Sequence, residues 1–226
     1  MLIAGGGTAG HVEPALALAQ ELRDRGDDVW LLGTREGIES TLAPQRGFQM
    51  LPIDRVPLPR RIGWDVLQFP VRQARAVRQA RDVIRSHDCE VVVGFGGYVA
   101  WPAYVAARRL KVPTVVFSYD AKPGWANRVA ARWTRWVATG LPVDGEISQA
   151  VHTGVPLRRD IIDLDRGRDR AAAAHALGLD AGRPTLLVFG GSLGATRLNR
   201  ALIACAAEVT ASGWQVLHIV GTRNES

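Results

Sequence analysis

The fold is decided near the start of the chain, where residues Leu2 to His11 read LIAGGGTAGH. Three apolar residues lead into a run of glycines, and the segment Val12 to Arg25 then has the apolar periodicity of a helix. A strand, a glycine loop and a helix in this order are typical of the first unit of a Rossmann-like sheet. The loop of such a unit lies at the carboxyl end of its strand, so we expect a ligand to approach the chain there.

The same alternation of short and long segments continues to about residue 140. Apolar runs predict strands at Leu2–Ala4, Asp28–Leu32, Gln49–Ile53, Val91–Val93, Thr114–Phe117 and Trp136–Ala138. Helical periodicity predicts helices at Val12–Arg25, Gly37–Pro44, Phe69–His87, Trp101–Leu110 and Ala126–Arg132. Because these strands are apolar on both faces, we predict an α/β fold with a doubly wound parallel sheet that helices cover on both sides.

Residues 158–169 interrupt this pattern, because they are rich in charge and contain few large apolar side chains. We interpret them as a solvated linker between a first domain, 1–157, and a second, 170–226. Asp163 and Asp165 have the spacing of a metal-binding Asp-x-Asp pair. Charged linkers often contain such pairs, so we favour the linker and predict no metal site.

The second domain repeats the opening pattern once. After a predicted helix at Arg170–Leu177 and a strand at Thr185–Phe189, residues 190–195 form a second glycine loop, GGSLGA. One more helix, Leu198–Ala211, and one more strand, Gln215–Val220, follow it. A single β-α-β unit does not make a stable sheet, so we expect the sequence to be a fragment that lacks most of a second Rossmann-like domain.

Composition limits the class of protein. The net charge of +6 suits anionic partners, but charge alone does not choose among phosphates, lipid headgroups and nucleic acid. Two distant cysteines, Cys89 and Cys205, predict neither a disulfide framework nor a zinc site. No apolar run reaches about 18 residues, and the first strand leaves no room for a signal peptide. We therefore expect a protein of the cytosol, or of the cytosolic face of a membrane.

The first glycine loop formally matches a dinucleotide-binding pattern at Gly5, Gly7 and Gly10. That pattern requires an acidic residue at the end of the second strand, where this chain has no acid. Arg35 at that position leaves NADP open as an alternative. A P-loop is excluded because no Gly-Lys-Ser/Thr follows.

The loop also offers a candidate catalytic base. His11 stands at the predicted helix start, where the positive end of the helix dipole disfavours a charged imidazolium. A neutral imidazole can accept a proton, as a general base must. The alternative is that His11 only caps the helix or packs against Glu13.

Two further glycine-bearing loops follow predicted strands, at Gly94–Tyr98 and at Pro123–Arg128. Because the carboxyl ends of parallel strands share one edge of a sheet, these loops should meet the first one. The alternative for Gly94–Tyr98 is a tight turn with a packing tyrosine. Two Rossmann-like domains with loops facing a cleft form the GT-B architecture of glycosyltransferases, which usually need no metal.

Five segments together carry a family resemblance: GGGTAGHVEPALALA, GFGGYVA, PGWANR, TGVPLR and GGSLGATRLN. In this order and at these separations they resemble the MurG family, in a form similar to its actinobacterial members. The resemblance covers essentially the whole chain. It implies inverting transfer of N-acetylglucosamine from UDP-GlcNAc to the 4-hydroxyl of lipid I, which gives lipid II without a cofactor or metal.

The resemblance also implies roles for individual residues. His11 is the implied base, and Tyr98 lines the acceptor side. The other implied contacts to the substrates are Thr8, Ala9, Gly10, Arg158, Ser192 and Asn199, of which Arg158 and Ser192 touch the UDP moiety.

One stretch departs from the family. Where members carry His-Glu-Gln-Asn, this chain has Phe117 to Asp120, so that Ser118 replaces the glutamate and Asp120 the sugar-contacting asparagine. An ionised aspartate accepts hydrogen bonds but cannot donate one, and it repels a diphosphate. The alternatives are therefore a GT-B paralogue with another donor or acceptor, and a relative that binds membranes without catalysis.

A basic stripe suggests where the chain meets its lipid-linked substrate. Arg72, Arg75 and Arg78 share one helix face, with Trp64 and Phe69 just upstream. Cations beside aromatic residues suit an anionic membrane surface, and we predict peripheral binding at the cytoplasmic face. The alternative is that the arginines are simply solvated while an apolar stripe one residue behind them, formed by Val71, Ala74, Val77, Ala80 and Ile84, docks on the sheet. No nucleic-acid-binding motif accompanies the charge.

Overall fold

The chain divides into two compact units, Met1–Ile162 and Asp163–Ser226. The computed structural model describes residues 1–58, 64–120, 122–142, 147, 149–191 and 194–221. The division between the units falls inside the segment 158–169 that the sequence predicts as a linker.

The first unit is built on a seven-stranded sheet in which all neighbouring strands are parallel. Its strands are β1 (Leu2–Ala4), β2 (Trp30–Gly33), β3 (Met50–Pro52), β4 (Val92–Gly94), β5 (Thr114–Ser118), β6 (Val137–Thr139) and β7 (Ala150–His152). Their order is β3-β2-β1-β4-β5-β6-β7, so the direction of winding reverses between β1 and β4. Ligands of such sheets bind beyond the carboxyl ends of the strands at this switch point.

Helices cover both faces of this sheet. They are α1 (Ala9–Asp24), α2 (Glu39–Gln45), α3 (Trp64–Ser86), α4 (Gly97–Leu110), α5 (Trp125–Ala131) and α6 (Arg159–Ile162). Successive residues of β1 point to opposite sides: Ile3 packs in a core cluster with Leu16 of α1, and Leu2 in another with Val77 of α3 and Ala103 of α4. The predicted α/β fold with a parallel sheet covered on both sides is confirmed.

Several elements begin earlier than the sequence predicts. Helix α1 begins at Ala9 instead of Val12, and α4 begins at Gly97 instead of Trp101, because the glycine loops enter their helices directly. Helix α3 begins before Phe69 and continues through Pro70, which lies on its exposed side. Proline removes one backbone hydrogen bond, and water can satisfy the freed carbonyl there.

The second unit contains α7 (Arg166–Ala176), β8 (Thr185–Phe189), α8 (Thr196–Ala211) and β9 (Gln215–Ile219), with β8 and β9 paired in parallel. The predicted solvated linker over 158–169 is exposed along most of its length, and it contains α6 and the start of α7, so that α7 begins earlier than the predicted Arg170. Asp165 is the N-cap of α7, and its carboxylate accepts hydrogen bonds from the amides of Gly167 and Arg168. Helix capping therefore accounts for one acid of the Asp-x-Asp pair.

Candidate active site

The candidate site lies at the switch point, where the loops after β1 and β4 touch. Gly97 has a φ of +75°, and a β-carbon there would stand 2.6 Å from the carbonyl oxygen of Gly6. Only glycine combines that left-handed conformation with so close an approach to a neighbouring main chain. The two glycine motifs of the first unit therefore form one continuous backbone surface.

The start of α1 presents amides to this surface. Thr8 is the N-cap residue, but its side chain makes no capping hydrogen bond. Its hydroxyl instead lies 3.0 Å from Nδ1 of His11. Within the described residues, the amides of Ala9 and Gly10 donate to no turn or loop carbonyl. Unpaired amides at the positive end of a 16-residue helix suit a phosphate or another anion.

His11 lines a cavity, and each of its ring nitrogens lies near a polar side chain. Nδ1 contacts Thr8, while Nε2 lies 3.8 Å from Oδ2 of Asp120. The side chain is 18% exposed, and the ring meets Tyr119 edge-on at 6.2 Å. Glu13, the alternative partner considered for this histidine, pairs instead with Arg46 at 2.8 Å. In the tautomer in which Nδ1 donates to the hydroxyl of Thr8, Nε2 is free to accept a proton, and the carboxylate of Asp120 is near enough to stabilise the resulting imidazolium.

A cavity of about 290 Å³ opens beside His11. Its wall brings together the predicted site residues Tyr98 and Asp120 with the tryptophans Trp101 and Trp125. Tyr98 stands in the first turn of α4, with its hydroxyl 3.3 Å from that of Thr34. The fold thus brings together residues that follow β1, β4 and β5 and are distant in sequence.

A second cavity, of about 360 Å³, lies against the start of α1. Ala9, Gly10, Tyr119 and Arg158 line it, so the predicted arginine stands near the unpaired amides. A β-carbon at residue 10 would meet the hydroxyl oxygen of Tyr119, which explains the glycine. Burial, and secondarily the charge of Asp120, raise the pKa of Tyr119, so its hydroxyl keeps its proton as a donor.

Glu39 supports the glycine loop from inside, and the sequence did not reveal it. Its carboxylate is buried and accepts hydrogen bonds from the amide of Gly7 at 3.2 Å, and from the amide and hydroxyl of Thr34, each at 2.9 Å. A β-carbon at Gly6 would collide with this side chain at 2.7 Å. The only sequence signal for Glu39 was its position in the first turn of α2, and acidic surface residues often occupy that position too.

Asn127 anchors the third glycine-bearing loop. Its amide nitrogen donates to the carbonyl of Phe117 at 3.1 Å, and its oxygen accepts from the hydroxyl of Tyr104 at 2.9 Å. Complete burial raises the pKa of Tyr104 well above its ordinary value. This pair fixes α5 to the end of β5, beside the cavity that holds His11.

The residues that depart from the family pattern have different environments. Ser118 ends β5 and is buried, and its hydroxyl has no hydrogen-bond partner among the described residues. Asp120 is 44% exposed and faces His11. The position of the aspartate therefore matters more to the chemistry of the site than that of the serine.

In the second unit, the predicted site residue Asn199 makes hydrogen bonds within its own unit. Asn199 is buried on α8, where its amide donates to the carbonyl of Val220 at 2.9 Å and its oxygen lies 3.0 Å from Nε2 of His218. These bonds hold α8 against the end of β9, and a contact of Asn199 with nucleotide stays a prediction. Ser192 lies outside the described residues. In the part of the chain that the structure describes, no group of histidine, cysteine and acidic side chains could hold a metal ion.

The α3 surface, which we define as the exposed side chains of residues 66–78 of α3, is both apolar and basic. Leu67 and Val71 are 69% and 73% exposed, and Phe69 is half-buried. The apolar stripe therefore does not dock on the sheet at Val71, whereas Val77 and Ile84 are buried, as that alternative predicts. The side chain of Trp64 lies outside the described residues.

The arginines of the α3 surface differ in their contacts. Arg75 pairs with Asp54 at 2.8 Å, and Arg72 donates to the carbonyl of Arg55. Arg78 is exposed. Within the described ranges, no helix is long and apolar enough to cross a bilayer.

Comparison with known proteins identifies the family. The N-terminal domain of glycosyltransferase family 28 matches residues 1–139. The UDP-N-acetylglucosamine--N-acetylmuramyl-(pentapeptide) pyrophosphoryl-undecaprenol N-acetylglucosamine transferase of Clavibacter michiganensis subsp. michiganensis is 53% identical over 99% of this chain and 62% of its own length. The transferase of the same name from Mycolicibacterium smegmatis is 48% identical over 99% of this chain and 60% of its own length. The chain thus spans about three fifths of these relatives.

Solved structures share the fold. The crystal structure of MurG from Acinetobacter baumannii superposes with a TM-score of 0.68 at 24% identity, over 96% of this chain and 65% of that one. The UDP-GlcNAc 2-epimerase of Neisseria meningitidis superposes with a TM-score of 0.65 at 12% identity, over 98% of this chain and 64% of that one. The resemblance to the MurG family that the sequence motifs indicate is confirmed by the actinobacterial relatives, and the chain belongs to glycosyltransferase family 28.

Proposed function

We propose that this chain belongs to an inverting glycosyltransferase that moves N-acetylglucosamine from UDP-GlcNAc to the 4-hydroxyl of lipid I, the undecaprenyl-linked N-acetylmuramyl pentapeptide. The names of the relatives supply the substrates. The single observation that carries the proposal is the placement of His11: it lines the 290 Å³ cavity together with Asp120, its Nδ1 contacts Thr8, and its Nε2 lies 3.8 Å from the carboxylate of Asp120.

The proposed reaction is a direct displacement. Nε2 of His11 takes the proton of the acceptor hydroxyl as its oxygen attacks the anomeric carbon of the donor sugar. The bond from that carbon to the β-phosphate oxygen breaks, UDP leaves with the bonding electrons, and the anomeric configuration inverts. Asp120, 3.8 Å from Nε2, stabilises the imidazolium that forms.

The charge of diphosphate groups is met without a metal or cofactor in this proposal. Ala9, Gly10 and Arg158 line the same 360 Å³ cavity, and helix-start amides and a guanidinium can bind phosphate oxygens, although Arg158 also lies 3.5 Å from the carboxylate of Asp160. The second glycine loop, with Ser192 and Asn199, is proposed to bind the UDP moiety.

Peripheral binding to the cytoplasmic face of the membrane is part of the proposal. The exposed Leu67 and Val71 stand beside Arg78 on the α3 surface, a combination that suits an anionic bilayer. A lipid-linked acceptor stays in the membrane, so the enzyme must come to it.

A second candidate is a family 28 transferase with another acceptor or donor. Asp120 favours it, because an aspartate beside His11 cannot donate a hydrogen bond to a sugar as the family's asparagine does. A panel of nucleotide sugars and acceptors distinguishes the candidates, since efficient transfer to lipid I would exclude the second.

The test of the proposed function measures transfer of radiolabelled N-acetylglucosamine to a lipid I analogue by the full-length product of the gene. We expect His11→Ala to lower kcat by about 10² to 10⁴, the usual contribution of a general base. His175→Ala, which changes an exposed histidine of α7, is the matched control and should leave kcat unchanged. Equal rates for the two variants would remove His11 from the role of base. In the same assay we expect little transfer by the 226-residue chain alone.

A further inference from the structure

Gln73 of α3 has a buried acceptor atom that has no hydrogen-bond partner in the described part of the chain. Its side chain lines the 290 Å³ cavity beside His11. Its amide nitrogen donates to the carbonyl of Val56 at 3.3 Å, which fixes the orientation of the amide because two oxygens would repel each other there. Oε1 is then buried without a hydrogen-bond partner among the described residues. Buried polar atoms are nearly always paired, so this exception needs an explanation.

Gln79 shows that the fold can satisfy such a side chain completely. It lies six residues further along α3 and contacts the same preceding segment. Its oxygen accepts from the amide of Asp54 at 2.8 Å, and its nitrogen donates to the carboxylate of Asp54 at 3.0 Å. The two glutamines therefore differ in one respect: Gln73 keeps an unpaired acceptor, on a side chain that lines the cavity.

The same cavity has an aromatic wall. Trp101 and Trp125 line it with their ring centroids 4.5 Å apart, and both side chains are half-buried. Aromatic faces receive the C–H face of a sugar ring and methyl groups, while a small number of polar atoms fix the orientation of the ligand. At about 290 Å³ the cavity is at the small end of ligand sites, so it suits one sugar residue and not a whole lipid-linked acceptor.

The unpaired oxygen of Gln73 and the two tryptophans favour one type of sugar substituent. Oε1 of Gln73 can only accept a hydrogen bond, and the amide N–H of an acetamido group can only donate one. The acetyl methyl group next to that N–H needs an apolar surface, which the tryptophans supply. We propose that Gln73, with Trp101 and Trp125, recognises the acetamido group of an N-acetylhexosamine acceptor beside His11. This rests on the proposed function, which it deepens by assigning the residues that select the acceptor.

Two variants on one helix test the role of Gln73. Gln73→Met and Gln79→Met each remove an amide that donates to residues 54–56, and each keeps a side chain of similar length. Only Gln73→Met removes the unpaired acceptor. It should therefore change the urea midpoint of unfolding less than Gln79→Met does, because the latter also leaves the amide of Asp54 unpaired.

Binding is measured on the 226-residue chain by tryptophan fluorescence and saturation-transfer NMR. The probes are the methyl glycoside of N-acetylmuramic acid and the same glycoside with a hydroxyl group in place of the acetamido group. We expect the wild-type chain and Gln79→Met to prefer the acetamido probe by about tenfold, the value of one hydrogen bond to a buried acceptor with its methyl contact. Gln73→Met should lose most of this preference.

The outcomes separate this proposal from the proposed function. An undiminished preference in Gln73→Met, or no preference in the wild-type chain, would overturn the assignment of the subsite. If the full-length protein still transferred N-acetylglucosamine to lipid I in that case, the proposed function would stand. An intact acetamido preference in a full-length protein that transfers nothing to lipid I would leave the subsite in place and overturn the proposed function.

Discussion

The two glycine loops of the chain begin from the same pattern and reach different environments. Each follows a short strand and precedes a 16-residue helix, α1 in the first unit and α8 in the second. In the first unit, β1 is completely buried between β2 and β4. In the second unit, β8 pairs only with β9 among the described strands, and it exposes Leu187 and Phe189.

The difference teaches that a glycine loop becomes a site through the groups around it. The first loop has Glu39 beneath it, Gly97 against it and Tyr119 over the start of its helix. A β-carbon at Gly191 of the second loop would meet nothing within 4 Å. In the first loop the crowding comes from elements distant in sequence, whereas in the second loop Gly190 is crowded only by Ala195 of the same loop and Gly191 is required by its φ of +78°.

The largest expected effect tests this contrast with the same substitution at Gly97, which packs against the first loop, and at Gly191 in the second loop. Gly97→Ala adds a methyl group 2.6 Å from a backbone oxygen that cannot move aside, at a residue with positive φ. We expect it to lower the free energy of unfolding of the first unit by about 3 kcal/mol, the sum of overpacking and backbone strain. Gly191→Ala should lower that of the second unit by about 1 kcal/mol, since only the strain applies.

Hydrogen exchange measured by mass spectrometry in urea reads the two units separately. Tryptophan fluorescence adds a check on the first unit, because six of the seven tryptophans lie in it and Trp214 is the exception. Similar losses of stability for Gly97→Ala and Gly191→Ala would contradict the view that crowding distinguishes the loops.

The next effect concerns the support beneath the first loop. Glu39→Gln keeps an oxygen for Thr34 but turns an NH₂ group toward the amide of Gly7, so that two donors face each other. We expect a loss of about 2 kcal/mol and faster hydrogen exchange at the amide of Gly7, because a buried donor loses its partner. Glu36→Gln removes an equal charge from an exposed residue nearby, and it should change neither quantity. Unchanged exchange at Gly7 in Glu39→Gln would remove the carboxylate from its supporting role.

The sequence predicted the strands better than it predicted the contacts between them. Apolar runs and glycines located β1 to β6, since a strand buried on both faces must be apolar along its length. It missed β7, whose three residues Ala150–His152 lie at the edge of the sheet and are largely exposed. Short exposed strands carry no apolar signal, so only their pairing reveals them.

The residues of the candidate site also divide into those that the sequence predicted and those that it missed. His11 and the glycines were found because their types and order suggest chemistry at a strand end. Glu39 and Gln73 were not found, because a lone acid or amide on a helix is normally a surface residue. A substrate contact of Asn199 stays a prediction, and the bonds of its polar atoms to His218 and Val220 were not found from the sequence. The environments of Glu39, Gln73 and Asn199 depend on contacts with residues distant in sequence, which the sequence alone does not show.

The smallest expected effect compares the asparagine anchors of the two units, Asn127 with Tyr104 and Asn199 with His218. Tyr104→Phe leaves the oxygen of Asn127 unpaired and should lower the free energy of unfolding of the first unit by about 1 kcal/mol at pH 7. Burial raises the pKa of Tyr104 in the folded protein, whereas the unfolded phenol loses its proton near its ordinary pKa of about 10. Above that pH the unfolded chain binds fewer protons than the folded one, so stability falls as the pH rises.

This alkaline loss amounts to about 1.4 kcal/mol per pH unit for one group, and Tyr104→Phe abolishes it. The variant should therefore be less stable than the wild-type chain at pH 7 and match it near pH 11. Urea midpoints of the first unit between pH 7 and pH 11 measure the difference. His218→Phe, which breaks the anchor of the second unit, should leave the alkaline slope of the first unit unchanged. Parallel slopes for the wild-type chain and Tyr104→Phe would mean that the phenol ionises without unfolding the first unit, and that its burial is not tight enough to hold α5 on β5.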